Sequence, residues 1–170
     1  QAYGSFAEAV QVRTKALGGN HPDVQRSKMK MAFIRLGCGD VSSAENLLLA
    51  VRDKFQMTLP YGHPQMAKAV NNLAIVAYHN ADLSTSYGLL KQSRKLLEHW
   101  ITSDKEACVA SVTLSLVINN MAYVRFKQSL GIQSLHLLKE ALQIQTRCLP
   151  EASPHTSVSK ENISFLVGVS

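Results

Sequence analysis

The sequence predicts an all-α chain, folded as a solenoid of antiparallel helix pairs. Three observations carry this reading: a repeat of 42 residues, apolar residues at helical spacing inside each repeat, and no window that alternates with period two long enough for a strand. His21-Pro22 recurs as His63-Pro64, 42 positions later. The small residues Ala32, Ala74, Ala122 and Ser164 follow at intervals of 42, 48 and 42. Asp40-Val41 matches Asp82-Leu83, and Leu47-Leu48, Leu89-Leu90 and Leu137-Leu138 keep the same spacings. Asn71-Asn72-Leu73-Ala74 is echoed by Asn119-Asn120-Met121-Ala122, and Pro60 with Pro64 by Pro150 with Pro154.

Each repeat reads as two helices. The chain opens with a helix over 5–17, the second member of a pair. A helix over 23–36 follows Pro22, which suits a helix start because its missing N–H is no loss there. Gly37-Cys38-Gly39 stops it. Ser42-x-x-Glu45 reads as a capping box for the helix over 42–57, whose stripe is Leu47, Leu48, Val51 and Phe55. The next helix, 65–79, follows Pro64 and spaces Val70, Leu73, Ala74 and Ala77 helically. The helix over 83–101 carries Leu89, Leu90, Leu96 and Leu97. Ser103-x-x-Glu106 is a second capping box, opening a helix over 104–128 that takes up six extra residues between Trp100 and Asn119. Leu135, Leu138 and Leu142 mark the helix over 131–148, and Pro154 precedes the last, over 155–168. The array over 1–170 is thus three pairs (23–57, 65–101 and 104–148) with half repeats at 5–17 and 155–168.

Composition narrows the function. With 46% hydrophobic residues the chain is too apolar for a disordered tail. Its 18 Lys and Arg against 12 Asp and Glu are spread rather than clustered, so an acidic partner suits it and nucleic acid is not expected. RNA contact would require Arg13, Lys15, Arg26 and Lys28 to converge on one surface. The longest apolar run, Val109 to Ile118, is interrupted by Ser111, Thr113 and Ser115 and is too short to span a bilayer. Cys38, Cys108 and Cys148 stand far apart with no C-x-x-C. They read as buried small hydrophobes in a reducing, most simply cytoplasmic, compartment, and not as a disulfide framework or zinc site. The sequon Asn162-Ile163-Ser164 falls inside a predicted helix and is discounted as a glycan acceptor. No nucleophile motif, P-loop, dinucleotide fingerprint or H-E-x-x-H is present, so no catalytic residue, metal or cofactor is expected. His21 and His63 read as turn or helix-start residues. A start at Gln1 and an apolar end, Phe165-Leu166-Val167-Gly168-Val169, suggest that more repeats or domains flank this segment.

His-Pro, then Asn-Asn-Leu-Ala at Asn71 to Ala74, then a Gly or Asp turn, then Ser43-Ala44-Glu45 resembles the tetratricopeptide repeat. The 42-residue period with His-Pro in the linker is similar to the kinesin light chain subtype. The third repeat departs by lacking the Pro, and the fourth has Glu161-Asn162-Ile163-Ser164 in place of Asn-Asn-Leu-Ala. The resemblance implies a right-handed superhelix whose first helices line a concave groove. It puts groove positions three before, two before and one after each small anchor, with others one turn away. Those positions are Arg26, Met29, Lys30 and Phe33; Lys68, Asn71, Asn72, Ile75 and His79; and Asn119, Asn120, Tyr123 and Lys127. An Asn amide both donates and accepts, so it can hold a peptide backbone of any sequence, and Arg26, Lys30 and Lys68 favour an acidic motif. A chaperone-tail receptor is disfavoured: Asn72 fits its carboxylate clamp, but Phe33, Met29, Leu116 and Asn120 stand where an Asn and cations belong. The expectation is a non-enzymatic scaffold or adaptor binding a linear acidic peptide. The alternatives are an architectural piece of a large ciliary, mitochondrial or ribonucleoprotein assembly, or a regulatory array of a larger enzyme.

Overall fold

The computed structural model describes residues 2–103, 107–150 and 152–169. Among them are eight α-helices and no strand: α1 (Ala2–Leu17), α2 (Pro22–Gly37), α3 (Val41–Thr58), α4 (Pro64–His79), α5 (Leu83–Ser103), α6 (Ala107–Lys127), α7 (Gly131–Cys148) and α8 (Pro154–Val169). Each helix packs on the next in sequence, and α2 touches α4 as α4 touches α6. The chain is therefore a row of antiparallel hairpins, with the first helix of each hairpin on one side.

Two linked clusters form the core. One joins Met29, Ala32 and Leu36 to Leu48, Val51, Phe55, Leu73 and Val76. The other joins Val70 and Ala74 to Leu90, Leu96, Leu97, Leu114, Ile118, Met121 and Ala141. Met66 and Leu89 pack against both, so the core runs on along the array. Ala32, Ala74 and Ala122 are almost wholly buried, as their spacing predicts. Ser164, the fourth anchor, is exposed.

The same period governs the turn inside each hairpin. Gly39, Ala81 and Ser129 all have φ near +60° to +80°. In each, the following N–H reaches back five residues: Asp40 N to Arg35 O, Asp82 N to Ala77 O and Leu130 N to Arg125 O, all 2.9 Å. This is the Schellman stop, which satisfies the last helical carbonyls and requires one left-handed residue. The helix starts repeat as well. His21 Nδ1 accepts from Asp23 N at 3.2 Å, and His63 Nδ1 from Gln65 N at 3.1 Å. Both His-Pro units are thus N-caps followed by a proline in the first turn.

Several details differ from the sequence reading or bound it. The cap of α3 is Asp40, which accepts from Ser43 N at 3.2 Å, and Ser42 lies inside the first turn. Asp82 does the same for α5, accepting from Thr85 N at 2.9 Å. The box at Ser103-x-x-Glu106 falls on 104–106, outside the described residues, and Ser103 ends α5. The extra chain lengthens both neighbours: α5 has 21 residues against 18 in α3, and α6 has 21 against 16 in α4. Over Cys108–Lys127, α6 is also long and apolar enough to cross a membrane by length and composition. Half of that stretch is buried inside the protein, against α5 and α7, so its apolar character serves a central packing helix. Finally, Cys38 and Cys108 are exposed and Cys148 is half-buried, so none is a buried hydrophobe.

The third hairpin departs from the pattern at two places. Leu130 stands where Asp40 and Asp82 cap, and α7 has no side-chain cap. Gln145 stands where Phe55 and Leu97 fill the core; it is fully buried, and neither amide atom has a partner among the described residues. An unpaired buried amide costs more than the apolar group that replaces it. Gln145→Leu is therefore expected to stabilise the chain by about 1–3 kcal/mol, read as a higher urea midpoint. A lower midpoint would mean that solvent satisfies the amide there. Leu130→Asp supplies the missing cap and is expected to add about 1 kcal/mol, seen as a later thermal transition by circular dichroism; no gain would show that this helix start does not limit stability.

Candidate peptide-binding groove

The predicted groove residues lie on α2, α4 and α6, and the structure sorts them into three groups. At the α1–α2 end, Arg26 and Lys30 are exposed and, with Arg13, Asp23 and Ser27, line a cleft of about 280 Å3. Arg26 pairs with Asp23, and Arg13 donates to Ser27 Oγ. Lys30 Nζ sits 5.9 Å from the centre of the Phe6 ring. Phe33 is 45% exposed on the same helix. Arg13 and Arg26 thus converge, whereas Lys15 and Lys28 do not line this cleft.

The second group is a chain of amides that crosses three helices. Asn120 Nδ2 donates to Asn71 Oδ1 at 2.9 Å, and Asn71 Nδ2 to Asn72 Oδ1 at 3.3 Å. Asn72 Nδ2 points at Met29 Sδ, 3.7 Å away. Asn72 and Met29 are buried, so they join α4 to α2 rather than lie open to a ligand. Asn119 turns the other way: its Nδ2 donates to Ser159 Oγ of α8 at 3.0 Å. Each of the four Asn side chains is thus engaged with a neighbouring helix.

The third group makes a cleft. Ile75, His79, Asn120 and Tyr123 meet with Tyr78, Leu90 and Val124 around about 250 Å3. Tyr78 Oη and Tyr123 Oη are 3.2 Å apart, and the rings 5.3 Å. The hydrogen bond to Tyr123, and then burial, raise the Tyr78 hydroxyl above its ordinary pKa. Lys127 Nζ stands 5.4 Å from the Tyr123 ring centre, within reach of a cation–π attraction. The sequence reading missed Tyr78, which lies four residues past its anchor. Its equivalent on α6 is Phe126, whose ring packs 6.1 Å from Phe165 on α8. The rule is that the ring four past one anchor meets the ring one past the next. The 42 and 48 spacings already held that signal, in Tyr78 and Phe126 and in Tyr123 and Phe165.

Lys68, the remaining candidate, is half-buried in the first half of α4, near the His63 cap. Burial, and next the charge of Lys68, push the His63 imidazole below its usual pKa of 6.5. Its neutral form is the one that caps α4, because a protonated Nδ1 cannot accept from Gln65 N. The folded state therefore binds fewer protons than the unfolded one. This stabilisation is complete above pH 6.5 and is lost as pH falls below it toward the lowered folded value. His63→Asn keeps a cap that does not titrate. Acidification from pH 7.5 to 5.5 is expected to lower the melting temperature of the natural chain more than that of His63→Asn; equal slopes would refute the assignment.

Among the described residues, no group of three or more His, Cys, Asp or Glu side chains could hold a metal ion. No protein-family model and no curated protein matches the sequence. Solved structures do match. A Podosopora anserina protein described as a kinesin light chain with nearly identical TPR-like repeats is 20% identical, with a TM-score of 0.65 over 98% of this chain and 76% of that one. A second structure of that protein gives 0.62 at 19% identity with the same coverage. BtubC (BKLC) from P. vanneervenii is 16% identical, with a TM-score of 0.78 over 98% of this chain and 65% of that one. The chain therefore has the TPR-like fold.

Proposed function

We propose that this chain is a non-enzymatic scaffold or adaptor that binds a linear, acidic peptide along the side formed by α2, α4 and α6. The observation that carries this reading is the cleft at Ile75, Tyr78, His79, Asn120 and Tyr123. It combines an apolar floor, two phenol groups and the Lys127 ammonium beside them. Such a mixture suits an anchor side chain held in a pocket with a carboxylate at its rim. The exposed Arg26 and Lys30 add positive charge at the α1–α2 end. The backbone-holding role first expected of the Asn side chains passes, on this reading, to the cleft residues.

A second reading, a piece of a larger assembly bound through its outer side, draws on Met57 and Tyr61. They are 79% and 68% exposed near the α3–α4 turn. One experiment separates the two. Affinity capture with partner identification compares the natural chain with Tyr123→Ala/Lys127→Glu and with Met57→Ser/Tyr61→Ser, each first shown to be folded. Peptides derived from the captured partners are then titrated by fluorescence anisotropy. The groove reading predicts at least a tenfold loss of peptide affinity in the first variant, with binding weakened by salt. Loss confined to the second variant would replace the groove with the outer face.

A further inference from the structure

Two cysteines 40 positions apart in the sequence meet across the third hairpin. Cys108 lies in the first turn of α6 and Cys148 ends α7, and the antiparallel packing of these helices sets them together. Cys108 Sγ lies 3.5 Å from the backbone oxygen of Cys148. Burial, and next the neighbouring Cys108 thiol, raise the Cys148 thiol above its ordinary pKa. Cys108 is exposed and Cys148 half-buried, so a small oxidant reaches the first and the second waits beside it. Cys38 is exposed too, but it lies at the α2–α3 turn, two hairpins away. The chain thus holds one adjacent pair and one isolated thiol of similar access.

We propose that Cys108 and Cys148 are a peroxide-responsive pair whose disulfide locks the α6–α7 hairpin. The Cys108 thiolate attacks one oxygen of a hydroperoxide. The O–O bond breaks, an S–O bond forms, and the leaving oxygen departs as hydroxide, or as alkoxide from an alkyl hydroperoxide. Cys148 then gives up its proton, its sulfur attacks the Cys108 sulfenic sulfur, and water leaves as the S–S bond forms. Two thiols lose two electrons and the peroxide gains them. The Cys108 sulfur already lies beside the Cys148 backbone, which brings the two side chains near each other before oxidation. The bridge ties the two free ends of the hairpin that carries Asn120 and Tyr123, so oxidation stiffens one wall of the cleft. A reducing compartment returns the pair to thiols, which makes the lock reversible.

The test treats the reduced chain with one equivalent of hydrogen peroxide, then counts thiols and maps peptides by mass spectrometry. Free thiols are expected to fall from three to one, with Cys38 retained. A linked Cys108–Cys148 peptide should appear with a mass loss of about 2 Da and revert with dithiothreitol. The melting temperature of the oxidised chain should rise by about 5 °C or more, because the bridge constrains the unfolded state. Cys38→Ser should leave the linkage intact. Cys148→Ser should leave Cys108 as a sulfenic acid, captured by dimedone. Loss of Cys38 at the same rate as Cys108, bridges only between chains, or no internally linked peptide would overturn the proposal. The wild-type peptide map decides this even if Cys148→Ser does not fold.

Discussion

Each hairpin depends on how closely its two helices approach at one small residue. Ala74 and Ala122 are almost wholly buried where α4 and α6 meet the helices that follow them. The approach is close enough for a hydroxyl on the second helix to reach the backbone of the first. Ser86 Oγ donates to Ala74 O and Ser134 Oγ to Ala122 O, both at 2.8 Å. Each serine is buried, and each carbonyl, already bonded within its helix, receives a second donor on its other lone pair. In the first hairpin Ala32 and Ala44 meet without the hydroxyl, and both are buried. A larger side chain at the anchor would push the helices apart and remove the bond as well as the packing.

The turns bring the helices into that approach. A left-handed residue after each first helix, at Gly39, Ala81 and Ser129, reverses the chain in a short turn. Only Gly adopts this backbone without strain; Ala and Ser hold it because the Schellman bonds and the packed hairpin compensate. Aspartates at 40 and 82 then start the second helices. Hydrogen bonds from Ser43 and Thr85 hold their carboxyls below the usual carboxylate range. Between hairpins, Arg94 on α5 makes a two-pronged bond to Glu140 on α7 at 2.8 and 3.0 Å while holding Glu98 at 2.7 Å. Arg125 on α6 lies 3.7 Å over the Tyr87 ring of α5. These contacts lie on the hairpins with the longest helices, where the repeat stretches from 42 to 48.

The groove side has a comparable logic. Its polar residues are engaged between helices first: Asn120 with Asn71, Asn72 with Met29, and Asn119 with Ser159, while Asn71 and Asn72 bond side by side on α4. Such bonds fix the spacing of successive first helices without closing the side with apolar groups. Aromatic rings do the same one turn further on, where Tyr78 meets Tyr123 and Phe126 meets Phe165. What stays accessible is the rim and floor between these bridges, including half of the Tyr123 surface and the exposed His79 and Lys127. A surface built in this way presents side chains already fixed in position, which lowers the entropic cost of holding a ligand.

The helices, their order and the buried anchors were legible in the sequence, because each is a local or strictly periodic property. Pro22 and Pro64 can only start helices, Gly39 ends one, and the leucine stripes follow the turn of the helix. The Asp40 cap was misplaced onto Ser42 because two acceptor residues stand two positions apart and only the backbone shows which one leaves the helix. The partners of the polar and sulfur groups were not legible. Asn71 and Asn120 are 49 positions apart, Asn119 and Ser159 are 40, and Cys108 and Cys148 are 40. None of these matches the 42 or 48 of the repeat. Each such contact is set by the offset and rotation of one helix against another, and that depends on how neighbouring side chains pack. Sequence alone therefore determined a periodic all-α chain with its core positions. Tertiary structure decided which polar and sulfur atoms meet, because that turns on distances of a few ångströms between helices that no local rule sets.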